Sequence, residues 1–338
     1  MHCIHARFRA KKPRRTNVTR YTLHKEPGQA VSENLLFLAM AALVCLPLSL
    51  ILAAGGLPMT SALLLFSPPK RFKVFRDKYG QQTATFCLLA GVASAVFLAG
   101  GGILVRSACP AAASFWLGWP LPIAPLTGCL ALSGALALAY RAAWQGLKNN
   151  KAAHACLGLG ASLAAWILGY LFVSFFRHFA VSPAGPGLDP SLFLPPLASA
   201  AWPHLPLVWA LSLTMAGAST SLYLIHRRDK DDFGRDYYNY SLKLACKWSL
   251  FSALGAMAAL AWLAAMLWPA VRNLPVRTEF FWGESTGLGC LVMACLLWGL
   301  VLKSRNPLRL KLHCVSAAIL AWIALTGMAV GSVKFFLG

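Results

Sequence analysis

Five histidines stand near the ends of long apolar segments, where imidazole nitrogens could bind a metal-containing group. His178 ends the fourth apolar segment and His204 begins the fifth, so both are expected at one membrane face. His154, His313 and His226 fall at the ends of segments that meet the opposite face. Imidazoles carried by the helices of a membrane bundle are common ligands of haem b iron. The pattern predicts haem ligation by His204 with His178, or by His154 with His313, and leaves His226 as a further candidate.

Polar groups near the face of His178 and His204 could instead hold the head group of a quinone. Glu284 opens the seventh apolar segment, and Tyr170 lies in the fourth segment before His178. Carboxyl and phenol groups can hydrogen-bond the carbonyl oxygens of a quinone. Two simpler interpretations stay open: Glu284 caps the start of its segment, and the histidines are ordinary interfacial residues.

The acidic residues exclude several transport mechanisms by their positions. The sequence has 10 Asp and Glu residues, and all of them lie in loops or at segment ends. Ion-coupled carriers and proton pumps need an ionisable group within the membrane to bind the ion. The sequence therefore argues against those classes and leaves a uniporter of a neutral solute open.

Its 10 cysteines are scattered, without the Cys-x-x-Cys-His motif of covalent haem attachment.

The elements that carry these residues are predicted to be membrane-spanning helices. Of the 338 residues, 58% are hydrophobic and 12% are charged, roughly half the charged share of soluble domains. A helix needs about 20 apolar residues to cross a bilayer. Segments of that kind are predicted at residues 35–57, 83–105, 116–140, 152–176, 204–226, 244–268, 285–302 and 313–335. The fold class that follows is an all-α integral membrane protein with about eight transmembrane helices.

The sequence repeats itself at a nearly constant offset. Residues 76–79 (Arg-Asp-Lys-Tyr) return as residues 235–238 (Arg-Asp-Tyr-Tyr) after 159 positions, and His154 returns as His313 after the same interval. The Thr-Ser pair at residues 60–61 returns after 160 positions. One offset shared by separate landmarks predicts a tandem duplication of a four-helix unit. Because four spans is an even number, the two copies are expected to have the same orientation, as a parallel repeat.

The duplication and the charges predict a domain layout and a topology. Residues 1–34 form a basic N-terminal tail, 35–179 the first four-helix membrane unit, 180–203 a Pro- and Gly-rich outer linker, and 204–338 the second unit. Most of the net charge of +21 lies in loops, which places the basic loops in the cytoplasm and the C-terminus outside. The basic tail disagrees with that topology. Either it holds the N-terminus inside, with one fewer span or a re-entrant segment, or the true start lies nearer Val31.

A stretch of the second unit resembles part of a known family. The stretch opens at His204 and continues through a basic loop into a span that begins with an aromatic and Lys-Trp pattern; its markers are Tyr223, Arg227, Arg228, Arg235, Asp236, Tyr238, Lys247 and Trp248. These roughly 50 residues resemble the first helix pair of cytochrome bd-type quinol oxidase subunit I. The resemblance implies that His204 ligates haem b. The sequence lacks the family's Gly-Arg-Gln-Pro-Trp segment, its intramembrane glutamates and its long quinol-binding loop, so oxygen reduction is not expected.

The layout of two four-span units also resembles the eight-span membrane anchors of quinone-linked molybdenum and iron–sulfur oxidoreductases. Together these observations predict a membrane subunit of a respiratory-type redox complex in the cytoplasmic (inner) membrane. It would bind haem b, quinone or both, and pass electrons to a partner redox subunit. The alternative is a non-redox polytopic protein, either a neutral-solute transporter or a membrane scaffold. The only other predicted partner is the lipid bilayer; charge confined to loops does not indicate nucleic acid.

Overall fold

The computed structural model describes residues 27–66, 72–108, 120–147, 150–181, 195, 199, 201–231, 233–272 and 279–337. The chain divides into two compact units, residues 1–38 and residues 39–338. Most of the predicted basic tail and of the predicted Pro- and Gly-rich linker lies outside the described residues. The division into duplicated four-helix units therefore stays a prediction.

The described residues form long α-helices and contain no strand. In chain order they are α1 (Pro27–Leu64), α2 (Lys73–Ala108), α3 (Pro120–Ala142), α4 (Lys151–Val181), α5 (Ala201–Arg227), α6 (Arg235–Val271), α7 (Glu279–Lys303) and α8 (Lys311–Leu337). A short 3₁₀ turn, Pro307–Leu310, precedes α8. Over the described residues, 7 of these helices, all except α3, are long and apolar enough to cross a membrane. The predicted all-α, multi-pass membrane fold is confirmed.

Several helices are longer than the predicted spans. α2 begins at Lys73 and α6 at Arg235, whereas the apolar pattern placed these spans from residues 83 and 244. Hydropathy identifies only the part of a helix that lies in lipid, but the helix continues until its backbone is capped or broken. At α6 the break is Gly234, whose φ of 78° is a backbone conformation that side chains disfavour.

Small residues let neighbouring helices approach closely. A Cβ atom at Gly56 of α1 would lie 2.6 Å from the Ser212 carbonyl oxygen of α5. At the α7–α8 interface, a Cβ atom at Gly283 would lie 2.7 Å from the Gly327 carbonyl oxygen. Lipid gives no hydrophobic drive for helix association, so close backbone contact and hydrogen bonds must hold the bundle together. Large apolar side chains such as Leu43, 70% exposed, face outward.

A proline in α1 creates contacts with two other helices. Pro58 has no N–H group, so the Ala54 carbonyl loses its partner within the helix. The thiol of Cys87 on α2 donates to that carbonyl oxygen over 3.3 Å. One residue after the proline, the Met59 N–H donates to Ser162 Oγ of α4 over 2.9 Å. These two hydrogen bonds join the irregular point in α1 to α2 and α4, and they satisfy backbone groups that lipid cannot.

Ser212 connects three helices near the middle of the bundle. Its hydroxyl donates to the Leu52 carbonyl oxygen of α1 over 2.6 Å and accepts from Trp166 Nε1 of α4 over 3.1 Å. Trp166 also stacks on Trp209 of α5, with ring centroids 5.2 Å apart. Leu52 and Ser212 are 160 residues apart. The predicted repeat would make them equivalent positions, and equivalent residues meet where a two-fold axis passes.

Candidate functional site

His154 is the predicted ligand with the most unusual surroundings. The Asn150 side chain accepts the Ala153 N–H over 3.1 Å, which caps α4 and places His154 in its first turn. The imidazole is 2% exposed, and both ring nitrogens are buried without a hydrogen-bond partner in the described part of the chain. An unpaired buried polar group costs about 1–3 kcal/mol. Such a group calls for an ordered water or a bound ligand.

Two aromatic rings enclose the His154 imidazole. The Trp144 ring stands edge-on to it with centroids 4.4 Å apart, and the Tyr140 ring lies 5.0 Å away. Trp144 reaches this position because residue 80 is glycine, where a Cβ atom would lie 2.5 Å from the Trp144 ring. A neutral imidazole is a suitable iron ligand. The donor chemistry of His154 therefore suits haem b iron, but the ring is only 2% exposed, so Trp144 or Tyr140 would have to move for a haem to reach it.

The two other histidines predicted at the same membrane face as His154 lie in different environments. His313 is half-buried in the first turn of α8, and no described contact joins it to His154. The structure thus does not bring the predicted His154–His313 pair together through any described contact. His226 is exposed at the end of α5. Among the described residues, no group of three or more His, Cys, Asp or Glu side chains could hold a metal ion.

His178 and His204 are carried by neighbouring helices. α4 and α5 pack together through Trp166 and Trp209, and a Cβ atom at Gly169 would touch Val208. His204 is half-buried in the first turn of α5, whereas the side chain of His178 lies outside the described residues. Pairing of these two imidazoles therefore stays a prediction.

The residues predicted for a quinone head group occupy two separate helix pairs. Glu284 of α7 packs against Gly331 of α8, where a Cβ atom would lie 2.9 Å from its carboxylate oxygen. Tyr170 of α4 follows Gly169, which faces α5. Its hydroxyl is buried without a hydrogen-bond partner in the described part of the chain. No described contact joins Glu284 to Tyr170, so their joint role in quinone binding stays a prediction.

Sequence reasoning missed a polar cluster that joins α2 to the loop after α5. Asp231 accepts from Arg227 through both oxygens, over 2.6 and 2.8 Å, and from Gln82 Nε2 over 3.1 Å. The buried Tyr237 hydroxyl donates to Gln82 Oε1 over 2.5 Å. We call Gln82, Arg227, Asp231 and Tyr237 the junction cluster. The available signal was the polar run around Gln82, which continues past the charged start of α2 to Thr85 before the apolar part of the helix begins.

The structure also contains a groove that the sequence reasoning did not predict. It has a volume of about 440 Å³ and is bounded by α1, α2, α5 and α8. Its walls are mostly apolar and include Phe86, Tyr223 and Trp322, with Ser49 on α1 and His226 at the end of α5. The Tyr223 ring stacks on Phe86 with centroids 4.7 Å apart.

Comparison with known proteins finds a likeness in fold. No family model matches the sequence, and no curated protein matches it. Among solved structures, the chain is similar to the bd oxidase from Geobacillus thermodenitrificans. The TM-score is 0.56 and the identity 12%, over 90% of this chain and 88% of that chain. The structure therefore supports a weak likeness in fold to a bd oxidase, whereas the match of the residues around His204 to the first helix pair of that family's subunit I stays a prediction.

Proposed function

We propose that this protein is the membrane subunit of a respiratory-type redox complex, holding haem b, quinone or both and passing electrons to a partner subunit. The observation that carries the proposal is the likeness in fold to a bd oxidase over 90% of this chain. That fold holds redox chemistry in at least one membrane enzyme. Seven helices able to cross a membrane are consistent with the same setting.

His154 supports the proposal from the chemistry of the chain itself. Its imidazole is buried with both nitrogens unpaired among the described residues, which is the state expected of a ligand side chain without its partner. When bound, a haem would supply the one-electron chemistry that protein side chains lack. His154 would hold it through a ring nitrogen, while Trp144 and Tyr140 fix the ring and exclude water. His204 with His178, and His313, are the further candidate ligands.

The proposed complex lies in the cytoplasmic membrane, with the basic loops on the cytoplasmic side and the C-terminus outside. The excess of Lys and Arg in alternate loops supports this orientation. A partner redox subunit would supply or accept the electrons. The rival function, transport of a neutral solute, predicts uptake into vesicles and no redox cofactor.

The experiment is a reduced-minus-oxidised visible spectrum of the purified chain, made with ample haem, in wild type and in His154→Phe. Phenylalanine keeps a ring between Trp144 and Tyr140 but removes both nitrogens. We expect a haem b α-band in the wild type and its loss or displacement in His154→Phe, with an unchanged melting temperature. Cys156→Ala, an exposed change on the same helix, is the matched control and should keep the band.

Parallel spectra of His204→Phe and His178→Phe would assign the alternative ligand pair. A haem band that persists in His154→Phe but disappears in these variants would assign the haem site to His204 and His178 at the other membrane face. A flat wild-type spectrum, together with no quinone in a solvent extract, would contradict the redox function and favour the transporter or scaffold.

A further inference from the structure

A comparison of equivalent positions in the predicted repeat explains why a groove lies between α1, α2, α5 and α8. At an offset of 160 residues, Ser49 of α1 is the equivalent of Trp209 of α5. Trp209 fills the interface between α5 and α4 by stacking on Trp166, with ring centroids 5.2 Å apart. Ser49 contributes only a small side chain, and its hydroxyl is turned back to the Leu46 carbonyl oxygen over 2.6 Å. The large Trp209 side chain thus fills the interface between α4 and α5. The small Ser49 side chain leaves a groove beside α1 and α8.

The shape of the groove fits a long, flexible molecule with a flat end. Along α5 its wall runs from Met215 to His226, which at about 1.5 Å per residue is roughly 16 Å. Leu46, Ala218 and Ile319 give it an apolar surface over most of that length. The stacked rings of Phe86 and Tyr223 lie at the end of the groove nearer the C-terminus of α5. They present an aromatic surface on which a planar ring packs well.

Two hydrogen-bond donors lie at the same end. The Tyr223 hydroxyl and the His226 imidazole both line the groove. Tyr223 is half-buried in the groove wall and His226 is exposed at its mouth. Both side chains can donate to a carbonyl oxygen. The end of the groove therefore offers two donors beside an aromatic surface.

The mouth carries charges of both signs. Arg227 is held by Asp231 through two hydrogen bonds of 2.6 and 2.8 Å, and Arg141 also lies within electrostatic reach of the Tyr223 hydroxyl. Carbonyl oxygens can accept from Tyr223 and His226 without carrying a charge. A neutral head group with carbonyl oxygens therefore fits the donors, and the test below distinguishes it from an anionic phospholipid.

We propose that the groove is a quinone-binding site. The quinone ring lies against Phe86 and Tyr223, its carbonyl oxygens accept from Tyr223 and His226, and its isoprenoid tail follows the apolar wall past Ser49. The proposal rests on the redox function proposed above and assigns quinone binding to a place other than Glu284 and Tyr170. The space left by Ser49 is what admits the tail.

The test fills the groove and measures the bound quinone. Ser49→Trp restores the side chain that the other copy carries at this position. Leu43→Trp is the matched control, since it adds the same side chain to α1 at a position that is 70% exposed. The full-length chain is purified in mild detergent, quinone per chain is determined by solvent extraction, and decylubiquinone binding is titrated. We expect Ser49→Trp to lower quinone content and affinity at least about tenfold, and Leu43→Trp to leave both unchanged.

A second variant addresses the head group without changing the groove volume. Tyr223→Phe keeps the stack on Phe86 and removes the hydroxyl, so decylubiquinone affinity should fall about fivefold, the loss of one hydrogen bond. Melting temperature and elution volume of each variant report whether the fold is intact.

The outcomes separate this proposal from the function on which it rests. If the wild type shows a haem band but Ser49→Trp binds decylubiquinone as tightly as the wild type, the groove proposal is overturned and the redox function stands. Displacement of a phospholipid instead of quinone by Ser49→Trp also overturns it. If the wild type holds neither haem nor quinone and binds no decylubiquinone, both proposals fail.

Discussion

Two junctions between helices of the predicted repeats are packed in opposite ways. Between α4 and α5, Trp166 stacks on Trp209 and donates to Ser212, so the junction is closed by ring packing and a hydrogen bond. Beside α1 and α8, Ser49 stands where the repeat would place a tryptophan, and a groove of about 440 Å³ remains. The two places differ in the size of one side chain more than in their polarity.

Under the proposed quinone site, the difference illustrates how a membrane bundle can build a binding site from an existing interface. Helices in lipid associate through matching shapes and hydrogen bonds, without a hydrophobic drive. Removing one large side chain therefore need not collapse the interface, because lipid or a ligand enters the space. A duplicated chain can keep one copy of an interface for packing and use the other for binding.

The largest expected effect is at the closed junction. Trp209→Ala should destabilise the protein by about 3 kcal/mol, because it removes the ring that stacks on Trp166 and leaves a cavity. The measurement is the midpoint of thermal or denaturant unfolding in detergent. Trp262→Ala, on a side chain that is 49% exposed, is the control and should have little effect. Equal midpoints for the two variants would contradict the contrast between closed and open junctions.

A second change tests the approach of α1 to α5 that lies between the two junctions. Gly56→Val should destabilise by about 1–3 kcal/mol, since any Cβ atom would lie 2.6 Å from the Ser212 carbonyl oxygen. Gly101→Val is matched, because a Cβ atom there meets nothing within 4 Å in the described structure. If both variants unfold at the same midpoint, the α1–α5 contact does not fix the position of the groove.

The junction cluster offers a third comparison, because it joins the two predicted repeats by polar contacts. Gln82→Leu should cost about 1–2 kcal/mol, since it leaves the buried Tyr237 hydroxyl without its acceptor. The double variant Gln82→Leu with Tyr237→Phe removes both partners and should recover part of that loss in the unfolding midpoint. Strictly additive losses would show that the two side chains act independently.

The smallest effect is predicted at the open junction. Ser49→Ala removes only a hydroxyl that bonds to its own helix, so we expect a change below about 0.5 kcal/mol. Bound quinone should also stay the same, because the groove keeps its volume. A marked loss of quinone in Ser49→Ala would mean that the hydroxyl, and not the space, is what the occupant requires.

The sequence predicted the helices well and their ends poorly. Long apolar stretches identified the membrane segments, but the charged turns at Lys73 and Arg235 lie outside the apolar pattern and are nonetheless helical. The repeat stays a prediction, although the contact between Leu52 and Ser212 is of the kind that a two-fold relation produces. The fold supports a weak likeness to a bd oxidase, whereas the match made on the residues around His204 stays a prediction.

The candidate sites could be predicted only in part. His154 was identified as a candidate by its residue type and position, but its enclosure depends on Gly80 admitting Trp144, a contact between distant segments that no local pattern reveals. Gln82 could have been noticed as part of the polar run that opens α2. The groove itself could not be predicted from the sequence, but aligning the two predicted copies sets the small Ser49 against the large Trp209 and so marks the position.

The central claim is that this chain carries electrons, and the most direct measurement is an anaerobic reductive titration of the purified wild-type protein. Reductant is added stepwise while the visible and ultraviolet spectra are recorded, and the electrons accepted are counted per chain. The account predicts at least one electron per chain, with spectral changes of haem b, quinone or both. A chain that accepts no electrons after preparation with ample haem and decylubiquinone would contradict it.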